Sequence, residues 1–190
     1  MEQDEKKIHL LAKVARSTKS MHPGEAKAVS ILSLAAASFG ARPDDDSTVP
    51  TGFDPNAVAL FECIVEAAYL VASADGVIDA AERKTFEALV VEACGGVVGE
   101  TQVRDLVADL ADQSAEDGAD KRCLAIGAQA GKRKDHAIEV LRIAALIAQT
   151  SEDVSAVERG MLSKLANACS LDEQAVENAL ADVREALKTA

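Results

Sequence analysis

Two short acidic stretches hold most of the side chains in this chain that could do chemistry. The first reads Ala72-Ser73-Ala74-Asp75-Gly76-Val77-Ile78-Asp79-Ala80-Ala81-Glu82-Arg83. The second reads Thr150-Ser151-Glu152-Asp153-Val154-Ser155-Ala156-Val157-Glu158. Grouped carboxylates supply hard oxygen ligands of the kind that divalent cations take. They also cap helices. Gly76 can close one helix in a left-handed turn, Asp79 and Ser155 stand where an N-cap belongs, and Glu82 and Glu158 follow three residues later to complete capping boxes. Capping therefore accounts for those four residues without any further role. It does not account for Asp75, Glu152 and Asp153, because a negative charge near the C-terminal end of a helix faces the negative end of its dipole. Three readings of these carboxylates stand side by side: a solvated acidic turn, a loop salt-bridged to Arg83 or Arg159, and ligands of a divalent cation. Neither stretch is an EF-hand. Asp75-Gly76-Val77-Ile78-Asp79 lacks ligands at alternate positions, and no bidentate Glu arrives at the twelfth, so a metal site would have to draw on both stretches.

The segments around these stretches read as helices. Residues 6 to 20 place Ile8, Leu11, Val14 and Ala15 at helical spacing among lysines, and a second helix runs from near Glu25 to Phe39, ended by Gly40 and Pro43. A polar, proline-punctuated linker follows over 44–55. From Asn56 to Ser73, the positions Leu60, Phe61, Ile64, Val65, Ala68, Val71 and Ala72 form a buried stripe. Further helices open at Asp79, ending at Gly95-Gly96, and at Thr101. Asp112 to Asp120 reads as a polar break, and the next helix ends at Gly131. The plan then recurs. A shift of 76 residues lays Phe61, Ile64, Val65, Ala68 and Val71 on Ala137, Val140, Leu141, Ala144 and Ile147, and a shift of 73 lays Val103, Val107 and Leu110 on Val176, Leu180 and Val183. The expected fold is all-α, a bundle of about eight or nine helices with an internal duplication of a three-helix unit. The expected division is a helical appendage over 1–43, the linker over 44–55, and a duplicated domain over 56–190.

Composition narrows the function classes. Twenty Lys and Arg face 32 Asp and Glu, a net charge of −12, and the excess of acid lies entirely beyond residue 27. Such a surface repels phosphates, so nucleic acid and anionic lipid are poor partners, whereas cations and basic protein surfaces suit it. With no Trp and 3% aromatics in a chain that is 48% hydrophobic, the core must be built from Ala, Val, Leu and Ile. Cys63, Cys94, Cys123 and Cys169 are widely spaced and lack nearby histidines at zinc-ligand spacing, so they read as buried small hydrophobes in a reducing compartment. The apolar run from Ala28 to Ala41 is too short to span a bilayer. His9, His22 and His136 have no ligand partners at helical spacing. Lys132-Arg133-Lys134 reads as a solvated helix entry. No phosphate loop or nucleophile elbow is present, and catalysis is not expected.

An apolar helix, then Ala-Asp-Gly-Val-Ile-Asp-x-x-Glu over residues 74–82, then another apolar helix, with a degenerate second copy one unit later, resembles the TerB family of bacterial tellurite-resistance proteins. It is also similar to the TerB-like domain of a membrane-anchored DnaJ-type co-chaperone. The resemblance covers roughly residues 55 to 188. It implies an all-helical duplicated fold and a divalent-cation site gathered from both loops. The matching residues are Asp75, Asp79, Glu82, Glu152, Asp153 and Glu158, and the cation is calcium, magnesium, manganese or zinc. Ser151-Glu152 replaces the Asp-Gly pair, and Ser155 stands where Asp79 does. The resemblance further implies a non-enzymatic stress-response protein of the bacterial cytoplasm. Its partners would be proteins, including an inner-membrane protein and other members of a resistance cluster, with no span of its own across the membrane. The alternative is a metal-free acidic interaction module whose loops are only helix caps.

Overall fold

The computed structural model describes residues 2–17, 30–42, 53–76, 78–150 and 154–190. Among them are nine helices and no strands, so the all-α class is observed. In chain order they are α1 (Glu2–Arg16), α2 (Ile31–Gly40), α3 (Pro55–Ala72), α4 (Ala80–Ala93), α5 (Glu100–Asp117), α6 (Ala119–Ala130), α7 (Lys134–Ala148), α8 (Ala156–Ala168) and α9 (Glu173–Thr189).

The centre is the pair α3 and α7, the most extensive helix contact in the molecule. Both bury nearly every apolar side chain. Alanines 67, 68, 137, 144, 145 and 148 are at most 1% exposed, which lets the backbones approach closely. The two run parallel. Ala57 and Leu60 share one cleft with Arg133 and His136 at their N-terminal ends, while Ala72 shares another with Ile147 and Thr150 at their C-terminal ends. By length and composition α3 could cross a membrane, but two thirds of it is buried inside this bundle.

Two carboxylates lie in this apolar centre, and each has an arginine. Glu66 of α3, 5% exposed, accepts from Arg122 of α6, which also reaches Asp117 at 3.3 Å. Lys121, and then Arg122, hold the Asp117 carboxyl below the usual carboxylate range. Glu139 of α7 accepts from Arg142 at 2.8 and 3.0 Å. Arg142 also donates to the Val14 and Ala15 carbonyls at the end of α1, at 3.1 and 2.7 Å, the first of which the Ser17 amide and hydroxyl bond as well.

Helices α1 and α2 belong to the same core. Leu11, Ala12, Val14 and Ala15 are buried against α4 and its neighbours, and Leu32, Ala35, Ala36 and Phe39 against α3, with the Phe39 and Phe61 rings 4.7 Å apart. The polar break expected from Asp112 onward is not a break. Helix α5 continues to Asp117 and stops only at Gly118, whose φ of +77° is left-handed. The polar run there is the solvent face of a helix rather than a loop. Part of the helix expected from Glu25, and all of the 44–55 linker but its last three residues, lie outside the described residues.

Two measurements follow from this packing. A Cβ on Gly127 of α6 would stand 2.1 Å from the Ala168 carbonyl oxygen, whereas one on Gly160 of α8 would meet nothing. Gly127→Ala should therefore lower stability by about 1–3 kcal/mol and Gly160→Ala raise it by up to about 1 kcal/mol in urea melts. Equal effects would mean that α6 and α8 are not in that close contact. All four cysteines are free and buried, and desolvation pushes the Cys63 and Cys94 thiols up to about 12 and Cys123 up to about 11. A disulfide reagent at pH 8 should count four thiols in denaturant and none quickly in the native protein. Rapid labelling of the native form would contradict this core.

Candidate functional site

Because α3 and α7 are parallel, the loops that follow them leave the same end of the bundle. Each loop opens by the same turn. The Ser73 N–H donates to Tyr69 O and the Ala74 N–H to Val71 O, as the Gln149 N–H does to Ala145 O and the Thr150 N–H to Ile147 O. Each closes on a capping box. Asp79 Oδ1 accepts from the Ala81 and Glu82 amides at 2.7 and 2.9 Å, and Glu82 Oε2 accepts from the Asp79 amide at 2.8 Å. In the second loop, Ser155 Oγ accepts from the Glu158 amide at 3.2 Å and Glu158 Oε2 from the Ser155 amide at 2.8 Å.

Glu82 and Glu158 line one cleft of about 390 Å³. Its floor is apolar, including Ile78, Phe86, Leu89 and Ile147. Helix α1 forms one wall, contributing Asp4, Lys7, Ile8 and Leu11. The Lys7 ammonium donates to the Thr150 carbonyl at 2.5 Å, which ties α1 to the second loop. No signal in the sequence paired Lys7 with Thr150, since the bond joins residues 143 positions apart.

The remaining expected ligands are distributed differently. Asp75 is exposed and makes no hydrogen bond or ion pair among the described residues. Asp79 is exposed, and its Oδ1 is committed to the cap. Glu152 and Asp153 lie outside the described residues. Neither candidate arginine compensates the described acids of the loops: Arg83 bonds Glu87 one turn on at 3.3 Å, and Arg159 bonds Glu177 of α9. Among the described residues, no three of His, Cys, Asp and Glu come together in a group that could hold a metal ion. One capping glutamate from each loop, and Thr150 of the second, line this same cleft. Each glutamate uses only Oε2 in its box, and Oε1 takes no part in it.

Elsewhere, His9 sits 3.1 Å from Glu92 Oε1 on the surface. Arg133 is the N-cap residue of α7 and grips Asp135 through two hydrogen bonds at 3.1 and 2.7 Å, which holds the Asp135 carboxyl below its usual range.

No protein-family model, curated protein or solved structure matches the chain.

The caps set a scale for mutation. Asp79→Ala and Ser155→Ala should each cost about 1 kcal/mol in a denaturant melt, whereas Asp75→Ala, which removes no cap, should cost nothing or stabilise slightly. A large loss at Asp75 would show that its carboxylate has a structural partner.

Proposed function

We propose that this protein is a non-enzymatic, TerB-like stress-response protein that takes a divalent cation between its two interhelical loops and acts through protein partners. The single observation that carries the reading is that Glu82 and Glu158, from loops 76 residues apart, line one cleft together with Thr150. Those three groups, with Asp75 and Asp79 from the first loop and Glu152 and Asp153 from the second, would hold the cation. It would link the two loops electrostatically. Tellurite-resistance-like function, a cytoplasmic location, and partners at the inner membrane and in a resistance cluster belong to this proposal through the resemblance of the first loop.

Internal duplication is part of the same proposal, and burial supports it. A shift of 76 lays the two capping boxes on each other, and it lays Phe86, Leu89 and Ala93 on Leu162, Leu165 and Cys169, all buried. A shift of 73 lays the N-cap Gly99 on the N-cap Asp172, and Val103, Val107 and Leu110 on Val176, Leu180 and Val183, all at most 4% exposed. The unit then extends beyond three helices. A shift of 115 lays Ile8, Leu11, Ala12 and Ala15 of α1 on Cys123, Ile126, Gly127 and Ala130 of α6, and α1 packs on α4 as α6 packs on α8.

A second reading, the metal-free acidic interaction module, is favoured by the capping boxes themselves, since Asp79, Ser155, Glu82 and Glu158 are all engaged in them. One pair of variants separates the two readings. Glutamine at the third helical position still caps, so Glu82→Gln and Glu158→Gln keep the box and remove only the charge. Calcium, magnesium, manganese or zinc should raise the Tm of the wild type by mass action, and both variants should lose most of that rise. If no cation shifts the Tm, or if both variants respond like the wild type, the cation reading is wrong. Partner capture that weakens with salt would then mark the metal-free module.

A further inference from the structure

We propose that the outer face of α6, together with the cleft where α6 gives way to α7, docks an acidic amphipathic helix of a protein partner. The inference rests on the reading that this protein acts through partners, and it says where one of them lands and what it carries.

Helix α6 turns an apolar stripe to solvent. Leu124, Ala125 and Ala128 are exposed, and Leu124, at 67%, is more exposed than any other large hydrophobic side chain among the described residues. The fold does not ask for leucine there. The offset of 115 that lays α1 on α6 carries His9 onto Leu124, and His9 is polar and sits on Glu92. One exposed leucine by itself would mean little, but this one belongs to a continuous surface.

The stripe runs into a cleft of about 560 Å³. Gln129 and Lys132 stand one turn beyond Ala125 and Ala128, and both line it. Its apolar wall includes Leu34, 56% exposed, with Ile31 and Ala57. Stripe and cleft together make a recessed apolar track with a polar rim, a shape that takes one face of a helix.

Charge selects the helix. The chain carries 32 Asp and Glu against 20 Lys and Arg, yet from Lys121 to Lys134 it has five basic residues and no acidic one. The acids that border this surface are already engaged: Asp117 with Lys121 and Arg122, Asp120 with Lys164, Asp54 with the Asn56 amide, and Asp135 with Arg133. Lys132 donates to the neutral carboxamide oxygen of Gln129 at 2.8 Å, a contact that leaves its charge uncancelled. A basic rim on an acidic molecule steers an acidic partner to this surface and away from the rest. Anionic lipid would meet the same rim, but a flat bilayer does not fill a recess, and the acidic remainder of the chain opposes its approach.

Three synthetic helical peptides with one leucine stripe, flanked by glutamate, glutamine or lysine, provide the test when titrated into the full chain by fluorescence anisotropy. The glutamate peptide should bind roughly tenfold more tightly than the glutamine one and the lysine peptide most weakly, with the preference shrinking as salt is added. Leu124→Ser and Lys132→Glu should each weaken the glutamate peptide roughly tenfold. Val157→Ser, which removes another exposed hydrophobic side chain from α8, should leave its affinity unchanged. All three positions are exposed, and an unchanged Tm confirms that each variant is folded. Equal binding of the three peptides, or glutamate-peptide binding that Leu124→Ser and Lys132→Glu do not weaken, would overturn the proposal. Tightest binding by the lysine peptide would overturn it too, while keeping a partner on the acidic surface instead. If the glutamate peptide does not bind, the docking site is wrong, and capture by vesicles of phosphatidylserine and phosphatidylcholine would then make this face a membrane contact. The cation titration of the wild type is read separately, so loss of the docking site leaves the cation reading standing.

Discussion

The side-by-side, parallel packing of α3 and α7 is the constraint on which the other elements depend. Two apolar helices approach closely because their facing surfaces are rich in alanine, and close approach leaves no room for water around a polar group in the centre. Glu66 and Glu139 must therefore be paired, and each recruits an arginine. Arg122 brings α6 against α3, and Arg142 takes hold of the end of α1. The two central carboxylates thus dictate where the flanking helices anchor, and an apolar substitution at either arginine would leave a buried charge unpaired at a cost of several kcal/mol.

Parallel direction has a second consequence. In an antiparallel pair the loops after α3 and α7 would emerge at opposite ends of the bundle, and no site could draw on both. Here they emerge together, and their capping glutamates border one cleft. The box uses Oε2 to tie down the start of the helix, which also fixes where Oε1 can be. A capped glutamate is in this sense a preoriented one, and chemistry that looks fully explained by local helix signals is compatible with a role across the loops.

Much of the fold was legible in the residues. The stripe of Leu60, Phe61, Ile64, Val65, Ala68 and Val71 marked α3 as a core helix, the boxes at Asp79/Glu82 and Ser155/Glu158 marked two helix starts, and the four cysteines read as buried hydrophobes. These are local signals, written in spacing of three or four residues and in cap chemistry. The polarity of Asp112 to Asp117 misled, because an exposed helical face and a loop share the same composition, and only the left-handed Gly118 marks the true end. Arg83 and Arg159 were reasonable partners for the loop acids by proximity in sequence. In the fold, helix geometry aims Arg83 at Glu87, and the docking of α9 delivers Glu177 to Arg159.

By itself, then, the sequence determined the helical class, the extents of most helices, the acidic surface and the carboxylates that a site could use. Each of these follows from propensity, periodicity and charge over neighbouring residues. Only the tertiary structure decided that α3 and α7 run parallel, that Glu82 and Glu158 share a cleft, that Glu66 meets Arg122, and that α1 joins the core and places Lys7 on Thr150. Those pairings join residues 56 to 143 positions apart. They arise from which faces pack together, a choice made by burial across the whole chain, and local pattern carries no record of it.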